Sequence, residues 1–248
     1  MRAADRVTRL AVVVPVNDEE ELLPRCLAAL DVAVARLRAE RPAVRVEVVV
    51  VLDDCTDRSA SLAGSSPFTV VETRCRRVGA ARAAGVEAAT GRLGRGRPAR
   101  LWIASTDADS AVPESWLLDQ VRLADAGADV VVGTVRPDPQ DLSPTQLAAW
   151  RATRVPGAPN GHVHGANLGV RAEAYLRVGG FADLPEHEDV DLVAALSAAG
   201  ARVVATDASD VLTSGRALGR TAGGYAGYLR SRFGVGSASP AEVGAASA

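Results

Sequence analysis

The chain alternates short, continuous apolar runs with segments in which apolar residues recur every three or four positions. Residues 10–16 (LAVVVPV) form the first run, and residues 19–38 follow with helical spacing at Leu22, Leu23, Leu27, Leu30, Val34 and Leu37. Residues 44–52 read as a second buried strand, 57–64 as a short helix, 68–72 as a strand and 78–90 as an Ala-rich helix that stops at Gly91. A strand over 101–106, a helix over 113–126 with Pro113 in its first turn, and a strand over 129–135 complete the series. Strands that are apolar throughout, separated by helices, predict an α/β fold with a mostly parallel central sheet and helices on both faces. Such a sheet has right-handed crossovers and binds ligands at the carboxyl ends of its strands.

From about residue 137 the rhythm changes, with prolines and glycines crowding residues 137–165. A short helix near 145–154, a strand over 167–170, helices over 172–178 and 188–199 and a strand over 202–205 follow. This predicts a second half built onto the same sheet. One domain is expected over residues 1–233, its halves spanning about 9–110 and 111–213. The Gly-, Ala- and Ser-rich residues 234–248 are expected to be disordered, and the basic loop 92–100 (RLGRGRPAR) to be solvated.

Composition narrows the chemistry. The 248 residues carry 28 basic and 30 acidic side chains, a net charge of −2, so nothing points to a nucleic-acid partner. All the basic residues are arginine, which excludes a Schiff-base lysine and a phosphate-loop lysine. Cys26, Cys55 and Cys75 are scattered and odd in number, as expected in a reducing compartment. No apolar segment approaches the ~18 residues that span a bilayer, and the first residues lack a secretory signal. These features predict a soluble, cytoplasmic protein without a transmembrane segment.

Acidic residues cluster where apolar runs end. Pro15, Asn17 and Asp18 close the first strand, and Asp18 with its neighbouring glutamates also suits the first turn of a helix. Asp53 and Asp54 close the second, offering acceptors to a base N–H or to ribose hydroxyls, with helix capping as the competing role. Asp107 and Asp109 follow the strand over 101–106; alternate carboxylates there suit Mg²⁺ or Mn²⁺, which in turn hold phosphate oxygens. Gly165, Gly169, Gly179 and Gly180 permit tight turns beside His164. His187, Glu188, Asp189 and Asp191 open a helix whose apolar face is expected to be Val190, Val193 and Leu196. The GxGxxG, GxxxxGK[ST], GxSxG and HExxH patterns are all absent.

In this order, the segments VPVNDEEELLPRCLAAL, VVVLDDCTDRS, RRVGAARAAGVEAATG, STDADS, GANLGVRAEAYLRVGGF and EHEDVDLVAALSAAG resemble a family 2 glycosyltransferase of the GT-A fold, over about residues 9–205. The resemblance implies a Rossmann-like nucleotide-binding half, an acceptor-side half, and transfer of a sugar from a nucleoside-diphosphate-sugar, UDP- or GDP-linked, to an acceptor hydroxyl. It implies nucleotide-sugar contacts from Pro15, Asn17, Asp53, Asp54, Arg82, Asp107 and Arg216, with Arg220 beside the last. It implies Mn²⁺ or Mg²⁺ at Asp109, with His187 as a further ligand, and acceptor contacts from Gly165, Ala166, Asn167 and Glu188. Asp189 matches the family's catalytic base in an inverting displacement. Arg77 and Ala83 stand where the family usually has asparagine, and the QxxRW motif of processive synthases is missing, which favours single-sugar transfer. Two other assignments compete: a sugar-phosphate nucleotidyltransferase, disfavoured by VPVNDEE where a glycine-rich loop would stand, and a non-catalytic nucleotide-sugar-binding module. A small-molecule or glycan acceptor, a place at the membrane periphery and a homodimer all remain compatible with this resemblance.

Overall fold

A computed structural model describes residues 5–219 and 224–234. The first apolar run becomes β1 (Arg9–Val16), whose valines are all buried, the helix over Val78–Leu93 packing on one face. β2 (Arg45–Asp53) pairs with it in parallel, Val13 opposite Val49, and β3 (Thr69–Thr73) pairs in parallel with β2. β4 (Leu101–Ser105) lies parallel along the other edge of β1. The strands β5 (Ser110–Ala111), β6 (Val130–Pro137), β7 (Leu168–Arg171) and β8 (Val203–Thr213) complete one sheet, ordered β3-β2-β1-β4-β7-β6-β8-β5. β7 runs antiparallel to both β4 and β6, so only this strand interrupts the common direction between β3 and β6.

Helices bury their apolar stripes against the sheet. α1 (Leu23–Glu40) buries Leu23, Cys26, Leu27, Leu30, Val34 and Leu37, the i, i+3, i+4 positions of an amphipathic helix. It starts later than the sequence suggests: the N-cap is Leu22 and the first turn holds no acid, so Asp18 and its neighbouring glutamates do not cap it. α2 (Ser59–Gly64) is short, and α3 (Val78–Leu93) lies flat on β1 and β2. Gly85 permits that approach, because a Cβ there would sit 2.4 Å from a Val13 methyl. α4 (Trp116–Asp125) begins after a turn closed by Trp116 N–H donating to the Pro113 carbonyl.

Two compact units emerge within the described residues. The larger comprises residues 5–136 and 156–213 and contains α6 (Ala172–Arg177) and α7 (Glu188–Ala198). The smaller comprises 137–155, 214–219 and 224–234. In it, α5 (Pro144–Ala152), started by a Ser143–Gln146 capping box, and α8 (Tyr225–Phe233) enclose Leu142 and Leu229 with Trp150, Tyr228 and Phe233. Gly234, expected to begin a disordered tail, takes the left-handed cap position of α8; residues 235–248 lie outside the described residues.

Two buried arginines shape the amino-terminal end of the strands. Arg171 donates to the carbonyls of Asp5, Ala99, Ala124 and Ala128 and lies over the Trp102 ring. Arg9 donates to the carbonyls of Gly94 and Arg97, so the basic loop 92–100, largely solvent-exposed as expected, also wraps a buried guanidinium. Among the described residues, no helix is long and apolar enough to cross a membrane.

Candidate functional site

At the carboxyl end of the parallel strands the acids predicted to bind ligand are tied to neighbouring loops. Asp18, in a left-handed conformation, accepts hydrogen bonds from the backbone N–H groups of Thr56 (2.6 Å) and Asp57 (3.1 Å). Glu20 accepts from the Arg58 backbone, while Asp57 accepts from the N–H groups of Glu20 and Ser59. The loops after β1 and β2 therefore brace each other, as neither could alone.

Asp53 braces a third loop. It is buried, and its Oδ1 accepts from the N–H groups of Cys75 (2.6 Å) and Arg76 (3.1 Å) and from the Thr73 hydroxyl (3.1 Å). Its Oδ2 accepts from the Arg77 N–H, at the start of α3, and Asn17 donates to its carbonyl. Asp54 is more exposed, left-handed in backbone, and ion-paired with Arg76. Pro15 lies within β1, opposite Val51. Of these residues, Asp54 presents the most accessible carboxylate; Asp53 holds the rim in shape.

Arg82, on α3, organises the next layer. It is 3% exposed, and its guanidinium donates to Glu188 on α7 and to Asp107 after β4, the latter at 2.5 Å. Its Nε has no hydrogen-bond partner among the described residues. One cation thus joins a carboxylate of the predicted donor side to one of the predicted acceptor side. Glu188, expected to meet an acceptor, is buried and faces this arginine. The periodicity argument for α7 is corrected accordingly: its buried face is Glu188, Leu192, Val193 and Leu196, while Val190 is 44% exposed.

The loop before β7 closes over this pair. Gly165 lies so near the guanidinium that a Cβ there would stand 2.3 Å from an Arg82 nitrogen. Its N–H donates to Asp189 Oδ2 at 2.6 Å, and the Val190 N–H donates to Asp189 Oδ1 at 2.8 Å. Ala166 and Asn167 are buried with it. Asn167 donates to the carbonyls of Thr134 and Ser209 and accepts from the Trp116 indole, each at 2.8 Å. The amide expected to contact an acceptor is thereby occupied in knitting β6, β8 and α4 to this loop.

Asp109 lies half-buried beyond the end of β4, with Oδ1 accepting from the hydroxyls of Ser110 (3.2 Å) and Thr213 (3.3 Å). Those two hydroxyls bond each other at 2.8 Å, so the short strand β5 and the end of β8 fix its position. Beneath it, burial, reinforced by Asp109 and Asp107, pushes the Cys26 thiol far above its ordinary pKa; the thiol donates to the Asp107 carbonyl. A half-buried carboxylate suits Mg²⁺ or Mn²⁺ when diphosphate oxygens complete the shell, since such ions are ordinarily held by one or two carboxylates plus substrate phosphates. His187 sits at the left-handed N-cap of α7 with 62% of its side chain exposed, nearest acid Glu186 at 4.0 Å. Among the described residues, the group of three acidic or thiol side chains that lies within metal-binding reach is Asp18, Cys55 and Asp57; it does not include Asp109 or His187. Arg216 belongs to the smaller unit, and Arg220 lies outside the described residues.

A parallel α/β sheet with acid-bearing loops at one end, extended by the reversed strand β7 and the helix carrying Glu188 and Asp189, has the GT-A fold of the solved structures it resembles. The chain belongs to glycosyl transferase family 2, whose family profile matches residues 11–175. Among solved structures it is similar to residues 1–349 of TarS from S. aureus, at 17% identity and a TM-score of 0.60, covering 83% of this chain and 60% of that one. It is also similar to the mannosyltransferase PcManGT from Pyrobaculum calidifontis in complex with GDP-Man and Mn²⁺, at 24% identity and a TM-score of 0.57, covering 84% and 57%. A third is glucosyl-3-phosphoglycerate synthase from Mycobacterium tuberculosis in complex with phosphoglyceric acid, at 16% identity and a TM-score of 0.55, covering 94% and 81%. These likenesses establish the fold, and the chain spans about three-fifths of the first two chains. No curated protein is similar enough to count as a relative.

Proposed function

We propose that the chain moves a single sugar from a nucleoside-diphosphate-sugar to an acceptor hydroxyl, by inverting displacement in a reducing, cytoplasmic setting, with residues 1–233 as the transferase domain. The observation that carries this proposal is the Arg82 bridge between Asp107 and Glu188, the residue immediately before Asp189. It sets the donor-side and acceptor-side acids in a fixed relation, as a single displacement requires. The complexes of similar structures with UDP and with GDP-Man support a UDP- or GDP-linked donor.

On this reading Asn17, Asp54 and Asp107 meet the base and ribose, and Arg82 orients Asp107 without touching the nucleotide. Asp109 would hold a divalent cation against the diphosphate; such an ion supplies charge stabilisation to the leaving group without a proton transfer. The acceptor oxygen forms its bond to the anomeric carbon as the bond to the diphosphate oxygen breaks, and its proton passes to Asp189. Gly165 N–H and the helix N-terminus hold that carboxylate in place, and each of its oxygens retains capacity for a second hydrogen bond.

Two measurements test this. Screened with Mn²⁺ across UDP-, GDP- and dTDP-sugars, the protein is expected to bind and slowly hydrolyse one donor class and to lose this on chelation; if no donor binds with or without metal, the proposal fails. Asp189→Asn is expected to lower kcat by roughly 10²–10⁴-fold while donor affinity and melting temperature stay near wild type. Retention of most of kcat would remove Asp189 from the role of base.

A further inference from the structure

The amino-terminal end of the strands carries a feature for which the transferase reaction has no use. A cavity of about 320 Å³ opens there, lined by five arginines (Arg9, Arg45, Arg95, Arg97 and Arg100) together with Thr8, Ala43 and Gly96. Among the described residues no carboxylate lines it, Asp5 reaching only its rim at Arg97. In a chain of net charge −2 that asymmetry is not a consequence of arginine abundance, because acids outnumber bases overall.

The cavity is built, not merely decorated. Its floor is Arg9, 7% exposed, whose guanidinium is fixed by the carbonyls of Gly94 and Arg97. Gly94 adopts a positive φ of 74°, and Gly96 passes so close to Arg9 that a Cβ would stand 2.7 Å from its guanidinium carbon. The loop therefore needs glycine at two positions to wrap the buried cation and raise Arg95 and Arg97 around it. Arg97 is partly neutralised by Asp5 at 3.3 Å, but the exposed guanidinium groups of Arg45 and Arg95 have no partner among the described residues.

We propose that this cavity is a second ligand site, for a molecule bearing two or more phosphate groups. Its volume lies near the lower end of the roughly 300–1,000 Å³ usual for small-molecule sites. Planar guanidinium forks match phosphate oxygens, and five of them offer more donors than one carboxylate can accept. The site is distinct from the donor site: β1 carries Arg9 at its start and Asn17 just past its end, and its eight residues separate the two by about 25 Å. The ligand is either a soluble oligophosphate or the phosphorylated headgroups of a membrane surface, and the test separates the two.

Metal-free full-length protein is titrated calorimetrically with inorganic tripolyphosphate, and sedimented with phosphatidylcholine vesicles containing about one-fifth phosphatidic acid, against phosphatidylcholine alone. The comparison variant is Arg45→Ala/Arg95→Ala, checked for native circular dichroism; both side chains are exposed and leave the fold intact. Binding of tripolyphosphate tighter than about 1 mM, weakened roughly tenfold or more in the variant and falling with salt, supports the site with a soluble ligand. Vesicle retention that requires phosphatidic acid and is lost in the variant supports it with a membrane source. Equal binding by wild type and variant in both arms, or no binding in either, overturns the proposal. Neither arm depends on sugar transfer, so failure of the proposed reaction would leave this result standing.

Discussion

Arg82→Met is expected to lower the melting temperature by roughly 10 °C and to abolish detectable transfer. Glu188 has 5% side-chain exposure and is ion-paired with Arg82, so removing the cation strands a buried carboxylate, a loss of about 3–5 kcal/mol. Asp107 loses the donor that aims it. The double variant Arg82→Met/Glu188→Leu separates these effects. With the buried charge gone as well as its partner, stability is expected to return most of the way, since apolar replacement of a buried pair is often close to neutral. Transfer is expected to stay absent, because Asp107 is still unoriented. A double variant that regains activity along with stability would reduce Arg82 to a purely structural residue. A single variant that melts normally and turns over normally would remove Arg82 from both roles.

Asp109→Asn is expected to reduce kcat/KM by about 10²–10³-fold with little change in melting temperature. Asparagine preserves a carbonyl oxygen able to accept from Ser110 and Thr213, so the strand-end geometry survives while one full negative charge leaves the proposed cation site. The loss should be accompanied by a rightward shift of the Mn²⁺ dependence, read in the same assay, and by weaker Mn²⁺ binding measured on its own. Activity within about fivefold of wild type at ordinary Mn²⁺ would leave Asp109 as the brace of a turn. Asp107→Asn offers the contrast, acting through donor affinity more than through the metal.

Continuous apolar runs made most of the sheet legible from sequence, because a strand buried on both faces has no reason to contain anything else. β8 was legible only in its first residues. Its sequence from Val203 to Thr213 mixes Thr206, Asp207, Ser209 and Asp210 among apolar residues, and tertiary partners such as Thr134 and Asp119 satisfy two of these polar groups. α8 carries a similarly weak apolar signal and was missed. At the candidate site, residue type and position at strand ends marked where acids gather, but not which of them neighbouring loops occupy. Asp18 and Asp53 look alike in sequence to Asp54, yet the N–H groups that occupy them come from residues 20–40 positions away. The burial of Glu188 was hidden because its partner, Arg82, is 106 residues distant. The bracing role of the Asn167 amide was hidden for a related reason: three of its partners lie on three other elements.

The mutual bracing of the loops after β1, β2 and β3 has a consequence for binding. Each residue held in one backbone conformation has already lost about 1–2 kcal/mol of conformational entropy. Here that loss is met during folding, when Asp18, Glu20 and Asp53 gather the N–H groups of residues 56–58 and 75–77. On the proposed function, a donor arriving at this rim would meet a surface already ordered, so little of its interaction energy would be diverted into arranging backbone. The affinity of the rim for a nucleotide then reflects the contacts themselves, and small changes in the ligand's base should register almost undiluted as differences in binding.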